Sequence, residues 1–354
     1  MAIIELVDTF LYILRQKFAQ RSDFCYTVTM YSLKDLAEHL NNKHHLPVQE
    51  NQIQDLRNIG YYHGFKGYRF VRESGNPIKF TAFSQIVSLN NFDMQLKGIF
   101  YPSLMFIENA LKSYVLEATL AECQTPSLSE IYKKGLTYYK ENFIPGSNNY
   151  KKEFKKRMDL EMKINAALSR DYMQGKSFIN HFYNQDKEIP VWAAFESLTL
   201  GEFGNFFSCS NKNIRTAVST QISLPSNLDN DGFLLADIIF ALKDLRNAIA
   251  HNGVIFDTRF ATAKIPERIK RLLEQELSIK TLDFNYIISY LALIVFLLKN
   301  MEETKRCTSL IQEFIKLHEI LKKLPVDALL QIKGTFYTSV IQSIGTVLGK
   351  QFKC

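Results

Sequence analysis

The sequence predicts a mainly all-α fold. Glycine and proline together supply 24 of the 354 residues (15 and 9), well below the roughly 12% of average usage, so turns are few. Hydrophobic residues make up 46% of the chain, which is enough for a large core and excludes a wholly disordered protein. Apolar residues also recur at spacings of three and four in long segments, as amphipathic helices require.

Residues 1–80 are predicted to form a small N-terminal helical module. Residues 1–20 have the pattern of an amphipathic helix, and Ser32 followed by Asp35 is typical of the start of a second helix. The aromatic stretch within residues 53–73 indicates a short helix and a turn. The same stretch is also compatible with a strand after the turn. The span of the module fits a winged-helix-like unit.

Residues 81–354 are predicted to form a second helical domain. Apolar residues from Leu104 to Val115 follow helical spacing and indicate a long amphipathic helix. A polar, lysine-rich insertion at about 124–190 follows, and Pro190 stands where the next helix would begin. Further helices are predicted over residues 231–252 and in the C-terminal part of the chain.

The most apolar segment, Phe284–Leu298, has fifteen residues, whereas a membrane-spanning helix needs roughly 20. We therefore expect a buried helix and no membrane association. The N-terminus lacks a basic leader and a small-residue cleavage site, and the five cysteines are widely spaced without a CxxC pair. These patterns favour a reducing, cytoplasmic location, and they predict no disulfide framework, no metal site and no cofactor.

The chain is mildly basic, with a formal net charge of +7 and a pI near 8.9. Such a charge is compatible with nucleic acid but also with an ordinary soluble protein. Five cations crowd one short stretch of the insertion, which is either a solvated helix face or a patch that contacts RNA phosphates. They are Lys151, Lys152, Lys155, Lys156 and Arg157.

The segment DLRNAIAHNGVIFD, residues 244–257, carries the candidate chemistry. Gly253 is expected to end the helix in the left-handed conformation, which places His251 in the last turn. Asn247 and His251 are four residues apart and share one face, and the long side chain of Arg246 can reach the same groove. A cation, an amide and an imidazole would then meet near a helix end, beside Asn252.

These residue types suit RNA cleavage without a metal. An imidazole titrates near pH 6.5 and can act as base towards a ribose 2′-OH or as acid towards the leaving oxygen. A guanidinium binds phosphate oxygens and stabilises developing charge. One helix supplies one histidine, so a symmetric homodimer would bring two copies together. The alternative is a simple helix end, at which a histidine is favourable for electrostatic reasons alone.

Four blocks of the chain, in order, resemble the Abi-like abortive-infection family of the AbiD and AbiF type, and LRNAIAHN resembles the Arg-x4-His signature of HEPN ribonucleases. The other blocks are IGYYHGFKGYRF (59–70), LNNFDMQLKGIFYPSLMFIENALKSYV (89–115) and IPVWAAFESLTLGEFGNFF (189–207). Family members often have another basic or aromatic residue after the histidine, where this chain continues with Asn252 and Gly253.

The resemblance implies a HEPN-type helical bundle and a metal-independent endoribonuclease of anti-phage defence or of a toxin–antitoxin system. It also implies Arg246, Asn247 and His251 as catalytic residues and RNA as substrate, with a bound structured noncoding RNA as a further partner. Glu108, with Lys112 four residues on, either supports Arg246 or His251 or forms an ordinary intrahelical pair. The alternatives are a non-catalytic HEPN scaffold that binds a structured RNA, and a motif that accepts a nucleotide from a partner enzyme.

Overall fold

Within the residues that the computed structural model describes, the regular structure is helical. β-Pairing in this part of the chain is limited to two isolated bridges, Phe70 with Pro77 and Ser127 with Pro190. The predicted all-α fold is therefore confirmed. The helix predicted over residues 1–20 lies outside the described ranges. These ranges are 32–141, 143–279, 282–322 and 335–352.

The N-terminal module contains α1 (Leu33–His44), a 3-10 turn (Glu50–Gln52) and α2 (Ile53–Ile59). The Ser32 hydroxyl accepts from the Asp35 N–H at 3.2 Å, and the Ser32 N–H donates to the Asp35 carboxylate at 2.9 Å. This reciprocal cap satisfies backbone donors that a helix start otherwise leaves open. The predicted start of α1 is confirmed.

The aromatic stretch after α2 folds as a π-helical turn, Gly60–Lys66. The chain then reverses direction, and the Ile78 N–H donates to the Arg69 carbonyl at 2.8 Å. The pairing at this reversal is the bridge between Phe70 and Pro77, without a regular strand. The likeness to a winged helix and the boundary at residue 80 stay predictions.

The predicted long helix is confirmed as α3 (Phe83–Cys123), which has 41 residues and continues through Pro102. At 1.5 Å per residue it is about 60 Å long. Its buried residues recur every three or four positions along the whole length, so one side of the helix faces the core throughout.

The insertion consists of helices that lie against the rest of the bundle. Helix α6 begins at the PGSNN turn, where the Ser147 hydroxyl accepts from the Tyr150 N–H at 3.2 Å and Gly146 has a φ of +81°. The helices are α4 (Leu128–Lys134), α5 (Tyr138–Glu141), α6 (Asn148–Met173) and α7 (Ser177–Tyr183).

The chain continues with α8 (Val191–Ser197), α9 (Leu200–Cys209), α10 (Lys212–Gln221) and α11 (Leu234–Ala250), the helix of the motif. Helix α8 starts directly after Pro190, as predicted. Helices α9 and α11 pack together at Gly204, where a Cβ would lie 3.0 Å from the Phe240 ring. Glycine permits this approach, and it fixes α11 against the bundle.

The C-terminal part contains α12 (Glu267–Glu276), α13 (Ile287–Asn300), α14 (Thr304–Lys322) and α15 (Thr335–Val347). Every residue of α13 from Ile287 to Leu298 is buried, so the predicted buried helix is confirmed. Among the described helices, none combines the length and the apolar character that crossing a membrane requires. Helix α3 packs against α10, α11, α13 and α14 and is the centre of the fold.

Candidate functional site

Helix α11 ends in a Schellman motif. The Gly253 N–H donates to the Ala248 carbonyl at 2.7 Å, and the Asn252 N–H donates to the Ile249 carbonyl at 3.1 Å. The left-handed residue is Asn252, with a φ of +54°. The expectation that Gly253 takes this conformation is wrong, and His251 is the cap residue directly after the last helical turn.

Of the three predicted catalytic residues, Asn247 lies next to each of the other two at the surface. Arg246 Nη1 donates to Asn247 Oδ1 at 3.4 Å, and His251 lies one turn beyond Asn247 on the same side of the helix axis. The Arg246 side chain is 30% exposed, and His251 is exposed. Within the described part of the chain the His251 imidazole makes no hydrogen bond, ion pair or ring contact.

Glu108 lies behind Arg246 and contacts two cations. Its Oε2 is 3.5 Å from Arg246 Nε, and its Oε1 is 3.3 Å from Lys112 Nζ. Glu108 is therefore both an intrahelical partner and a contact of the motif. Glu108 Oε2 and Arg246 Nε are buried, and neither atom forms a hydrogen bond within the described residues. The pair restrains the guanidinium without occupying all of its donors.

Lys112 connects this pair to a third block of the sequence, because its Nζ donates to the Leu198 carbonyl at 2.9 Å. Leu198 closes α8. Three parts of the sequence therefore meet at one place, namely the block around Glu108, the block around Leu198 and the motif helix.

A second polar cluster, the α3 joint, fixes the other side of the helix end. It is centred on Asp93, which is fully buried. Asp93 Oδ2 is 2.9 Å from Lys97 Nζ and accepts from the Tyr68 hydroxyl at 3.0 Å. Asp93 Oδ1 accepts from the N–H groups of Ile255 and Phe256 at 3.0 and 2.8 Å. Burial raises the pKa of the Asp93 carboxyl, while Lys97 and the two N–H groups oppose that rise.

Lys97 connects the α3 joint directly to the motif. Its Nζ donates to Asn252 Oδ1 at 2.8 Å. Asn252, predicted as a supporting residue, thus holds the chain next to His251 in place. Sequence reasoning did not identify Asp93, Lys97 or Tyr68 as parts of the site.

Residues of the N-terminal module hold the segment after the motif in place by contacts around Asp257, which is 2% exposed. Asp257 Oδ2 accepts from the Arg72 N–H at 2.5 Å and pairs with Arg259 Nη2 at 2.6 Å. Arg259 also donates to the carbonyls of Gly67 and Phe70 at 2.7 and 2.6 Å. We call this contact the Asp257 clasp.

Tyr101 is a further accessible residue beside the motif. It lies on α3 between Lys97 and Glu108, at spacings of four and seven that keep all three on one side of the helix. Lys97 and Glu108 both contact the end of α11, and Tyr101 is 45% exposed. The signal for it was present in the sequence as this spacing.

The five cations of the insertion do not share one environment. Lys151, Lys152, Lys155 and Lys156 are exposed on α6, and Lys156 pairs with Glu153 at 2.8 Å. The side chain of Arg157 is only 13% exposed. Its Nε donates to the Tyr132 carbonyl at 3.1 Å, and its guanidinium lies within 6 Å of three aromatic rings, those of Tyr132, Tyr139 and Phe154.

The described residues contain no group of three or more histidine, cysteine or acidic side chains arranged to hold a metal. The cysteines in this part of the chain, Cys123, Cys209 and Cys307, are free and buried. Burial raises the pKa of the Cys209 thiol to about 12, so it stays protonated at neutral pH.

The family model described as Abi-like protein matches residues 54–257, more than half of the chain. The chain belongs to the Abi-like family. Membership implies a role in abortive infection and confirms the resemblance seen in the four sequence blocks. The matched region of this Abi-like protein starts in α2 and ends at the Asp257 clasp. Comparisons with curated proteins and with solved structures found no match.

Proposed function

We propose that this Abi-like protein is a metal-independent endoribonuclease of the HEPN type, which acts in abortive infection through a site formed by two copies of the chain. The observation that supports it best is the accessible end of α11. There His251 is exposed, Arg246 is partly exposed, and the buried carboxylate of Glu108 restrains the arginine. Cleavage of RNA needs one cation and acid–base groups at such a surface.

In the proposed reaction the imidazole of one His251 takes the proton of a ribose 2′-OH. The freed oxygen attacks the adjacent phosphorus, and the bond from phosphorus to the 5′-oxygen breaks. A second, protonated imidazole donates a proton to the leaving oxygen, which gives a 2′,3′-cyclic phosphate and a 5′-hydroxyl. Arg246, with Asn247 beside it, stabilises the charge on the phosphoryl oxygens.

One protomer supplies only half of this acid–base pair. The reaction needs a neutral and a protonated imidazole at the same time, and no described titratable side chain contacts His251. A twofold axis through the helix ends would place two His251 side chains about one phosphate. The exposed, uncharged residues Met94, Gly98 and Tyr101 on α3 offer a surface for the second copy.

The exposed lysines of α6 would bind the RNA backbone. They are predicted sites for phosphate because their ammonium groups are solvent-accessible. Arg157 would support them by holding α6 against α4 and α5, since its guanidinium already lies among aromatic rings. Replacement of the four lysines should therefore weaken RNA binding and flatten its dependence on salt.

RNA cleavage by purified variants tests the proposal. His251→Ala and Arg246→Ala should each lower the rate by about 100-fold or more, with the unfolding temperature unchanged. His181→Ala and Arg271→Ala are matched controls, because both residues are exposed and lie away from the motif. They should cleave at the wild-type rate, and EDTA should leave cleavage intact. A wild-type rate in either motif variant would refute the assignment.

Mixing experiments test the two-copy site. An excess of His251→Ala protein added to wild-type protein should lower the rate per wild-type chain, because mixed dimers lack one imidazole. An unchanged rate would mean that each protomer carries its own complete site. If no preparation cleaves RNA but RNA of defined length co-purifies, and His251→Ala binds it equally well, the protein is an RNA-binding scaffold instead.

A further inference from the structure

A cavity of about 460 Å³ lies in the N-terminal module, between the end of α1, the π-helical turn and the chain reversal at the Phe70 bridge. We call it the basic pocket. Its volume lies within the range of about 300–1,000 Å³ that is typical of small-molecule sites. The lining residues that matter here are His44, Phe65, Arg69, Phe70, Lys79 and Phe80.

The positive side chains of the basic pocket have no acidic partner among its lining residues. None of the residues that line it is acidic. Within the described residues, Arg69 and Lys79 form no ion pair. Burial, together with the charges of His39, Lys66, Arg69 and His45, lowers the pKa of His44 to about 4. A cavity of this kind attracts an anion, because an anion would relieve the repulsion among the cations.

Aromatic rings form the apolar part of the lining. Phe65 is buried, and its ring packs against the His44 ring with centroids 4.5 Å apart. Phe70 is fixed by Arg259, whose guanidinium lies 4.3 Å from the ring centroid. Flat aromatic walls bind planar rings by stacking, and purine and pyrimidine bases are such rings.

We propose that the basic pocket binds a nucleoside monophosphate unit. Its phosphate would lie at Arg69, Lys79 and His44, and its base would stack on Phe70 or Phe80, which are partly exposed. Arginine suits this task because its planar fork matches phosphate oxygens. The unit is either a free nucleotide or the terminal nucleotide of an RNA chain. The proposal is independent of cleavage at the motif, since the pocket contains none of the motif residues.

The surface of α6 lacks this combination. Its lysines are exposed on one helix and would suit a long, regular backbone, whereas the basic pocket brings two cations and aromatic rings together. An extended RNA strand therefore fits α6, and a single nucleotide unit fits the pocket.

Calorimetric titration of the full chain with AMP, UMP, GMP and CMP, and with inorganic phosphate, tests the proposal. Nucleotides should bind, and bind at least about 10-fold more tightly than phosphate. Arg69→Gln and Lys79→Gln should each weaken binding about 10-fold or more, while Arg57→Gln, an exposed arginine on α2, should have no effect. Phe80→Ala should weaken nucleotide binding but not phosphate binding. His251→Ala should bind as the wild type does.

Binding of short RNAs with a 5′-phosphate or a 5′-hydroxyl shows whether the ligand is a free nucleotide or the end of an RNA chain. Preference for the phosphorylated RNA, lost in Arg69→Gln, assigns the pocket to an RNA end, and binding of free nucleotides alone assigns it to a soluble ligand. Either outcome supports a nucleotide site. If neither nucleotides nor phosphorylated RNA bind, or if phosphate binds as tightly as AMP and Phe80→Ala changes nothing, the proposal is wrong. Unfolding temperatures of the variants check that each is folded.

Discussion

The two sides of the end of α11 differ in how their polar groups are paired. On the side of the α3 joint, the Asp93 carboxylate accepts from a lysine, a tyrosine and two backbone N–H groups. On the side of the motif, Arg246 approaches Glu108 without a hydrogen bond, and His251 is exposed.

The paired side positions the helix end, and the other side offers accessible polar groups. A buried polar group that is fully paired has no capacity left for a ligand, but it holds the backbone in one conformation. An exposed group with few partners contributes little to stability and remains free to bind. The same helix end is therefore fixed from one side and open on the other.

The largest expected effect comes from breaking the paired side. Asp93→Ala removes the partner of a buried lysine and two backbone contacts, and we expect a loss of about 3–5 kcal/mol in the free energy of unfolding. Chemical denaturation measures it. Glu196→Ala, an exposed carboxylate on α8, is the control and should change stability little.

A double variant sharpens this result. Asp93→Leu combined with Lys97→Met removes both charges and should be more stable than Asp93→Ala, because no buried charge is left without a partner. If Asp93→Ala unfolds at the wild-type denaturant concentration, the joint does not hold the helix end and the comparison of the two sides fails.

A smaller effect is expected at Asn252, where the two sides meet. The φ of this residue is +54°. The left-handed conformation is strained for alanine because of its Cβ, and it is not strained for glycine. Both variants lose the hydrogen bond from Lys97. Asn252→Ala should therefore be less stable than Asn252→Gly by about 1 kcal/mol, measured by the same denaturation. Equal stabilities would show that the left-handed conformation is not maintained in solution.

An effect that appears only at acid pH concerns His44 in the basic pocket. The pKa of His44 is lowered to about 4 in the folded protein, first by burial and then by nearby cations. The unfolded chain, with a histidine pKa near 6.5, takes up the proton first as the pH falls. The contribution of His44 is therefore fully present above about pH 6.5 and is lost between there and pH 4.

Thermal unfolding between pH 4 and pH 7 checks this expectation. His44→Gln should make the dependence on pH less steep than in the wild type, because glutamine does not titrate. His181→Ala, which removes an exposed histidine, should leave the slope as it is. An identical slope in His44→Gln and wild type would contradict the lowered pKa.

Local sequence signals were sufficient for most of the fold. The Ser32 cap, the spacing that gives α3 and the apolar run of α13 are all encoded within a few turns of chain. The spacing of Glu108 to Lys112 also identified a residue that contacts the motif. Such features can be predicted because their partners lie close in sequence.

Distant partners explain what was missed. Both asparagine and glycine tolerate the left-handed conformation, and sequence alone favours Gly253. The structure places Asn252 there, where its amide oxygen accepts from Lys97, which is 155 residues away. Arg157 was grouped with the lysines by charge, but rings from α4 and α5 enclose it. Asp93 has its decisive partners more than 160 residues along the chain.

The Asp257 clasp has a consequence for the order of folding. It joins Arg72 to a residue 185 positions later in the chain, so during synthesis it cannot close until the whole intervening polypeptide has left the ribosome. Contacts of such long sequence separation form late, because closing a long loop costs entropy first. The backbone after the motif therefore gains this support only once residues 72–257 have all been synthesised.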